Sequence, residues 1–187
     1  MEKIRVAIVG IGNCASALIQ GLEYYGNPAN NNTPEGMMAS NIGGYTASDI
    51  EVVAAFDVDQ RKVGKTLDRA IYAKPNCTIH IMEPEKFPKS NVIVEKGHIL
   101  DGISDHMKDY NTYPVDTTFL VDETTPSVDI VKRLQEVKAD ILINYLPVGS
   151  EKAAKYYAQC AIDAKVAFLN CIPVFIASDP AWEKKFI

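Results

Sequence analysis

The chain has 187 residues, a formal net charge of −5 and 47% hydrophobic residues. This composition excludes an intrinsically disordered chain, because nearly half of the residues can be buried and the charge is moderate. It also argues against a nucleic-acid partner, since 24 acidic residues outnumber 19 basic ones and no run of Lys and Arg reaches four.

No segment approaches the roughly 18 uninterrupted apolar residues of a membrane span, and no cleavable leader precedes the first apolar segment. We therefore expect a cytoplasmic protein with no membrane partner. The four cysteines are widely spaced without a C-x-x-C pair, and the three histidines fall in none of the usual zinc spacings. We expect reduced cysteines and no metal site.

Short apolar segments alternate with segments of helical periodicity along the chain. In chain order, the predicted elements are a strand at residues 4–9, a helix at 15–24, a strand at 50–56, a helix at 61–72, a strand at 91–95, a helix at 127–137, a strand at 141–145, a helix at 151–164, a buried strand at 166–170 and a helix that starts at Ser178-Asp179-Pro180.

The segment between the first helix and the second strand, residues 25–48, is rich in Gly, Asn and Pro and lacks periodicity. This predicts a long insertion loop. Because the strands are apolar throughout, we expect a parallel sheet with helices on both faces. The fold class predicted for residues 1–187 is therefore a doubly wound α/β domain with five or six strands.

A glycine-rich turn follows the first predicted strand and opens the first predicted helix. It fits the pattern G-x-G-x-x-[G/A], and its residues are Gly10, Ile11, Gly12, Asn13, Cys14 and Ala15. The first glycine permits the tight turn, the second lets the backbone approach a pyrophosphate, and the small last residue lets the helix pack on the strand. Free N–H groups at the helix start then face the phosphate charge. The motif predicts a dinucleotide-binding Rossmann domain, with a purely structural glycine turn as the alternative.

An acidic residue at the end of the second strand of such a domain accepts hydrogen bonds from the adenosine ribose. Asp57 occupies this place, and the insertion explains why it lies 45 residues beyond Gly12. A carboxylate here favours NAD, because it would repel the additional phosphate of NADP. Arg61 and Lys62 follow closely and keep NADP open as the alternative. Asp59 is interpreted as a cap for the next helix.

The end of the fourth predicted strand is the second place where a ligand is expected, because ligands of open α/β sheets bind beyond the carboxyl ends of the strands. The residues predicted to line the nicotinamide side are Asn144, Leu146, Pro147, Val148, Gly149 and Ser150. The alternative role of Ser150 is to cap the next helix. His98 and Asp101 follow the third predicted strand and are interpreted as part of a solvated loop, with contact to a ligand as the alternative. Tyr157 is interpreted as a packing residue.

Several stretches resemble the actinobacterial and archaeal type of myo-inositol-1-phosphate synthase (inositol-3-phosphate synthase). The stretches are GIGNCAS at residues 10–16, QGLEYY at 20–25, AAFDVD at 54–59, KVG at 62–64, DGI at 101–103, YLPVGSE at 145–151, YAQC at 157–160 and PVFIASDP at 173–180. The resemblance spans the whole chain. YLPVGSE and PVFIASDP are much more specific than the glycine fingerprint.

The resemblance implies an NAD-dependent isomerase that converts glucose 6-phosphate into inositol 1-phosphate, in inositol and phospholipid biosynthesis, and that forms homo-oligomers. In this family NAD oxidises the sugar, an enol forms, an aldol step closes the ring and NADH reduces the product. The resemblance assigns residues 10–15 to the pyrophosphate, Asp57 to the adenosine ribose and residues 146–150 to the nicotinamide.

The family's chains are much longer. After the PVFIASDP helix they continue into a G-D-D-x-K-S segment and a second region, which carries the lysines and carboxylates of catalysis and most of the subunit interface. We therefore expect the catalytic residues beyond Ile187, and expect this chain alone to bind NAD without full catalysis. The alternatives are another NAD-linked oxidoreductase and a non-catalytic dinucleotide-binding module.

Overall fold

The computed structural model describes residues 2–30 and 36–187. It contains five strands, and their bounds are β1 Ile4–Val9, β2 Ile50–Asp57, β3 Val94–Lys96, β4 Ile141–Asn144 and β5 Ala167–Asn170. The α-helices are α1 Asn13–Gly26, α2 Leu67–Ala70, α3 Ile130–Glu136, α4 Glu151–Ala164 and α5 Pro180–Phe186.

The strands form one sheet in the order β3-β2-β1-β4-β5, and each neighbouring pair is parallel. The chain reverses its direction of travel across the sheet between β1 and β4. Val9 at the end of β1 pairs with Phe56 on one side and with Asn144 on the other. The predicted doubly wound α/β fold is therefore confirmed, with five strands.

Alternate residues of β1 enter two separate hydrophobic cores. Val6 and Ile8 pack with the buried side chains of α1 and α2 on one face of the sheet. Ala7 and Val9 pack with those of α3 and α4 on the other face. This covering of both faces explains why the central strands are apolar over most of their length.

Residues 61–72 do not form the predicted helix over most of their length, because only Leu67–Ala70 is helical. The Asp59 carboxylate accepts a hydrogen bond from the Arg61 N–H group at 2.9 Å, which closes a turn instead. Gly64 then has a φ of +79°, which lies outside the helical range.

The strand predicted to be buried at residues 166–170 is also corrected. β5 pairs only with β4 and lies at the edge of the sheet, and Leu169 is 51% exposed. Apolar composition did not separate this edge strand from the buried strands.

The first two residues of the predicted insertion, Tyr25 and Gly26, belong to α1, and the other described residues of the insertion are irregular. It contains a bridge between Ile42 and Tyr45 and short 3-10 turns at Pro28–Asn30 and Ala47–Asp49. Residues 31–35 of the predicted loop lie outside the described residues.

Candidate functional site

A cleft of about 380 Å³ opens at the carboxyl ends of β1, β2 and β4. Its walls come from the glycine turn, the end of β2, residues 98–103, residues 145–150 and residues 171–173. This is the place where the strand order reverses, and open α/β sheets bind their ligands there. The volume lies within the range of about 300–1,000 Å³ that is typical of small-molecule sites.

Most of the predicted site residues meet in this cleft. The predicted residues that line it are Gly10, Gly12, Asn13, Cys14, Asp57, Leu146, Pro147, Val148 and Ser150. The structure does not bring the other four to the cleft wall, namely Ile11, Ala15, Asn144 and Gly149. Ile11, Ala15 and Asn144 are fully buried, and Gly149 adopts a φ of +96° in the turn before α4.

The two glycines of the turn have different surroundings. Gly10 has a φ of +87°, and a Cβ atom there would lie 2.7 Å from the backbone oxygen of Tyr145. Gly10 is therefore required by the protein's own packing. A Cβ atom on Gly12 would meet no atom within 4 Å. Gly12 has a negative φ of −88° at the N-cap of α1, so the folded chain itself does not require glycine there.

The Asp57 carboxylate holds the glycine turn from one side. The N–H group of Ile11 donates to its Oδ2 atom at 2.7 Å, and those of Val58 and Asp59 donate to Oδ1 at 2.7 and 2.9 Å. A carboxylate offers about four acceptor positions. Oδ2 therefore retains capacity for a further hydrogen bond, and Asp57 lines the cleft.

A fully buried lysine completes the support of the turn. Lys62 Nζ donates to Asn76 Oδ1 at 2.9 Å and lies 3.8 Å from Asp57 Oδ2. Asn76 Nδ2 in turn donates to the carbonyl oxygen of Ile11 at 3.1 Å. Both sides of Ile11 are thus fixed, its N–H group by Asp57 and its carbonyl by Asn76. Hydrophobic patterning gave no sign that Lys62 or Asn76 would be buried.

The Arg61 guanidinium makes four hydrogen bonds to the protein, and Arg61 is not among the residues that line the cleft. Its Nε and Nη2 atoms bind Asp59 Oδ1 and Oδ2 at 2.9 and 2.6 Å. Its Nη1 and Nη2 atoms also donate to the carbonyl oxygens of Val115 and Thr118, at 3.0 and 2.5 Å. Hydrogen bonding to Asp59 raises the pKa of Arg61. The predicted role of Asp59 as a helix cap is therefore wrong, because its buried carboxylate pairs with Arg61.

At the other end of the cleft, the fully buried Asn144 supports the cleft wall through hydrogen bonds. Its Nδ2 atom donates to Asn170 Oδ1 at 2.8 Å, and its Oδ1 atom accepts the N–H group of Leu146 at 3.1 Å. Asn170 Nδ2 donates to the carbonyl oxygens of Ile172 and Val174. The two asparagines therefore tie together the turns that follow β4 and β5, where Leu146 and Ile172 face the cleft.

Ser150 lies at the N-cap position of α4, but its hydroxyl donates to the Pro147 carbonyl at 2.7 Å. Asp101 caps the helix in its place. Its Oδ2 and Oδ1 atoms accept the N–H groups of Lys152 and Ala153 at 2.7 and 2.9 Å. The predicted solvated loop around Asp101 is thus part of the site, because the same residue lines the cleft.

Several residues of the cleft wall carry no binding signal in the sequence. They are Ile99, Leu100, Ile103, Phe119, Tyr145, Tyr157, Cys171, Ile172 and Pro173. They come from loops and from one packed helix, where no short pattern marks a binding residue. Burial raises the pKa values of Tyr145, Tyr157 and Cys171, so these groups are neutral at pH 7.

Two features are absent from the described part of the chain, residues 2–30 and 36–187. No cluster of three or more His, Cys, Asp and Glu side chains is placed to hold a metal ion there. Within the same residues, no helix combines the length and the apolar character that crossing a membrane requires.

A scan against models of known protein families matched none of them to this chain. Curated proteins are similar over 184 residues, which is 98% of this chain and 47% of each relative. The inositol-3-phosphate synthases of Mycolicibacterium smegmatis and Mycobacterium tuberculosis are 53% identical, and that of Corynebacterium glutamicum is 51% identical. The chain is a homologue of the inositol-3-phosphate synthases. It matches their N-terminal portion and spans about half of their length.

Two solved structures are similar to this chain over nearly its whole length. The crystal structure of a protein named Ari2 has a TM-score of 0.78 and 34% identity, and the match covers 99% of this chain and 50% of Ari2. A myo-inositol-1-phosphate synthase-related protein from Thermotoga maritima has a TM-score of 0.56 and 20% identity, over 98% of this chain and 52% of that protein. The second match shows a shared fold. The resemblance read from the sequence is confirmed over the part of the relatives that this chain spans.

Proposed function

We propose that this chain binds NAD in the cleft and forms the cofactor-binding part of an inositol-3-phosphate synthase. The observation that carries the proposal is the open space at Gly12. The protein's own packing would accept a side chain there, since a Cβ atom meets nothing within 4 Å. A ligand that approaches the backbone at the start of α1 would collide with such a side chain. A pyrophosphate is the ligand that this position of the motif accommodates.

The remaining cleft residues fit the two ends of a dinucleotide. Asp57 keeps acceptor capacity on Oδ2 for a ribose hydroxyl, at the end of β2. Leu146, Pro147 and Val148 offer an apolar wall at the end of β4 for the nicotinamide ring. The pyrophosphate would lie between them, where the N–H groups at the start of α1 favour negative charge.

The charges of the cleft support NAD over NADP. Asp57 is buried in the wall that would face the ribose, and its carboxylate would repel an additional phosphate. Arg61, which could have bound that phosphate, is already held by Asp59 and two carbonyl groups. Lys62 Nζ is engaged with Asn76 and lies close to Asp57.

Bound NAD would supply hydride transfer, accepting a hydride from the sugar and returning it at the end of the isomerisation. The residues described above would bind the cofactor, orient its ring against the apolar wall and exclude water from it. The conversion of glucose 6-phosphate into inositol phosphate is proposed for the whole synthase, because this chain spans about half of the length of its relatives.

Calorimetric titration of the purified chain with NAD and NADP tests the proposal. We expect saturable binding of one NAD per chain and binding of NADP that is weaker by about tenfold or more, the effect of a single unfavourable charge contact. Asp57→Asn should weaken NAD binding by about tenfold and narrow the difference between the cofactors. Asp163→Asn, on the exposed side of α4, is the matched control and should leave both affinities unchanged. Absence of NAD binding, or equal affinity for both cofactors in the wild type, would contradict the proposal.

The activity is tested in a chimera in which these 187 residues replace the matching half of the Mycolicibacterium smegmatis synthase. We expect the chimera to convert glucose 6-phosphate into inositol phosphate with NAD present. The same chimera with Gly12→Val should be folded and inactive, because the added side chain fills the proposed pyrophosphate position. A folded wild-type chimera without activity would count against the assignment to this reaction.

A further inference from the structure

Residues 115–122, named the strap here, run back along the loop that follows β2. The N–H group of Gln60 donates to the carbonyl of Leu120 at 2.7 Å, and the N–H group of Asp122 donates to the carbonyl of Val58 at 2.8 Å. Asp59 and Val121 form an antiparallel bridge. The strap is therefore fixed to the residues that come immediately after Asp57.

One buried ion pair anchors the strap. Asp59 is completely buried, and its Oδ2 atom accepts the N–H group of Leu120 at 3.1 Å as well as the Arg61 guanidinium at 2.6 Å. Arg61 also donates to the carbonyl groups of Val115 and Thr118, at 3.0 and 2.5 Å. Arg61 and Asp59 together thus bind the strap at three places. A planar guanidinium with five donors suits this task, and an ammonium group could not satisfy all of these acceptors.

The strap brings one aromatic side chain to the cleft. Phe119 lies between the anchored residues Thr118 and Leu120, is only partly buried and lines the same cleft as Asp57 and Val58. Its backbone N–H group donates to the carbonyl of Met107 at 2.9 Å. Asp57 marks the adenosine end of a dinucleotide in this fold. Phe119 is therefore the aromatic group of the strap at that end of the cleft.

We propose that Phe119 forms the wall against which the adenine ring of the cofactor packs, and that Arg61 and Asp59 are positioning residues that hold this wall in place. The inference rests on the proposed function and adds a contact and its support to it. An aromatic face binds a planar base by stacking, and removal of such a contact weakens binding by roughly five- to a hundredfold. The same arrangement explains why Arg61 follows the ribose-binding strand without serving as a phosphate ligand.

Phe119→Ala tests the contact with two ligands that each carry one end of NAD. ADP-ribose contains the adenine, and nicotinamide mononucleotide does not. We expect Phe119→Ala to lower the affinity for ADP-ribose and for NAD by about tenfold, as measured by calorimetry. Binding of nicotinamide mononucleotide, followed by nuclear magnetic resonance, should be unchanged. Phe119→Tyr keeps the ring and is the matched control, with affinities within about twofold of the wild type.

The two ways of failing are distinguishable. Wild-type protein that binds neither NAD nor ADP-ribose contradicts the proposed function itself. Wild-type protein that binds ADP-ribose, with a Phe119→Ala variant that binds it equally well, overturns the role of Phe119 and leaves NAD binding intact. An equal loss for nicotinamide mononucleotide would show a general disturbance of the cleft and would also overturn the inference.

The positioning role of Arg61 is tested through its coupling to Phe119. Arg61→Met should weaken ADP-ribose, and the double variant with Phe119→Ala should bind no worse than Phe119→Ala alone, because Arg61 acts through that ring. Arg61→Lys should restore only part of the affinity, since one ammonium group cannot span the carboxylate and both carbonyls. Additive losses in the double variant would overturn the positioning role. Circular dichroism checks that each variant is folded, and the Phe119→Ala result stands by itself if Arg61→Met does not fold.

Discussion

Gly10 and Gly12 are equivalent in the sequence motif and different in the folded protein. Glycine is required at position 10 by the protein's own packing, because the positive φ and the nearby Tyr145 carbonyl exclude a side chain. Gly12 has an ordinary φ and empty space above it. The first glycine therefore serves the fold, and the second keeps the cleft open.

The pair of variants Gly10→Ala and Gly12→Ala separates these roles. Gly10→Ala should lower the free energy of unfolding by about 2 kcal/mol or more, because it adds left-handed strain to a backbone clash. Gly12→Ala should lower the free energy of unfolding by less than about 1 kcal/mol, because alanine is unfavourable at a helix N-cap. It should also lower the affinity for NAD by about tenfold. Urea unfolding and calorimetry measure the two quantities. Gly12→Ala with unchanged NAD affinity would contradict the assignment of the pyrophosphate to this space.

How far the site could be predicted differs from residue to residue. The place of Asp57 in the cleft wall could be predicted, because the end of the second strand meets the glycine turn in this topology. The hydrogen bond that Asp57 accepts from the N–H group of Ile11 could not be predicted, since it depends on the detailed path of the glycine turn. In the sequence, Lys62 keeps NADP open as the alternative cofactor, whereas in the folded protein it is fully buried against Asn76. Sequence patterns reveal which elements meet, and they do not reveal which polar side chains pair behind them.

At the scale of elements, the start of α4 shows how a loop and a helix cooperate. The helix bounds were predicted correctly as residues 151–164, because alanine-rich periodicity and Ser150 mark them. The capping group itself comes from Asp101, about fifty residues away in the chain. Periodicity carries no information about a partner at that distance. The helix predicted at residues 61–72 is wrong over most of its length for a related reason, since the hydrogen bond from Arg61 to Asp59 closes a turn there.

Asp101→Ala should lower the free energy of unfolding by about 1 kcal/mol, within the range of 0.5–2 kcal/mol for the loss of a helix cap. The variant leaves the first-turn N–H groups of Lys152 and Ala153 without their acceptor. Urea unfolding followed by circular dichroism measures the loss. Glu85→Ala removes an exposed carboxylate from the irregular segment after α2 and is the matched control, with an expected change below about 0.5 kcal/mol. Equal stability of Asp101→Ala and the wild type would show that the cap contributes nothing.

At the scale of the whole molecule, the cleft joins two halves with separate supports. One half is β3, β2 and β1 with the glycine turn and the strap, and the other is β4 and β5 with the asparagine pair behind their turns. The parallel sheet with helices on both faces could be predicted, because largely apolar strands that alternate with helices allow few arrangements. The edge position of β5 could not, because composition does not say which strand lacks a second neighbour.

A dinucleotide that contacts both halves should stabilise the whole domain against unfolding. A ligand that binds only the native state at 100 times its dissociation constant adds about 2.7 kcal/mol. For a domain of this size, each kcal/mol raises the melting temperature by about 2–4 °C, so saturating NAD should raise it by roughly 5–10 °C. Differential scanning calorimetry measures this shift, and Gly12→Val should abolish it while keeping a cooperative transition. The shift must also grow with the logarithm of NAD concentration once the site is filled. A shift that reaches a plateau, or that persists in Gly12→Val, would mean that NAD stabilises the chain at a place other than this cleft.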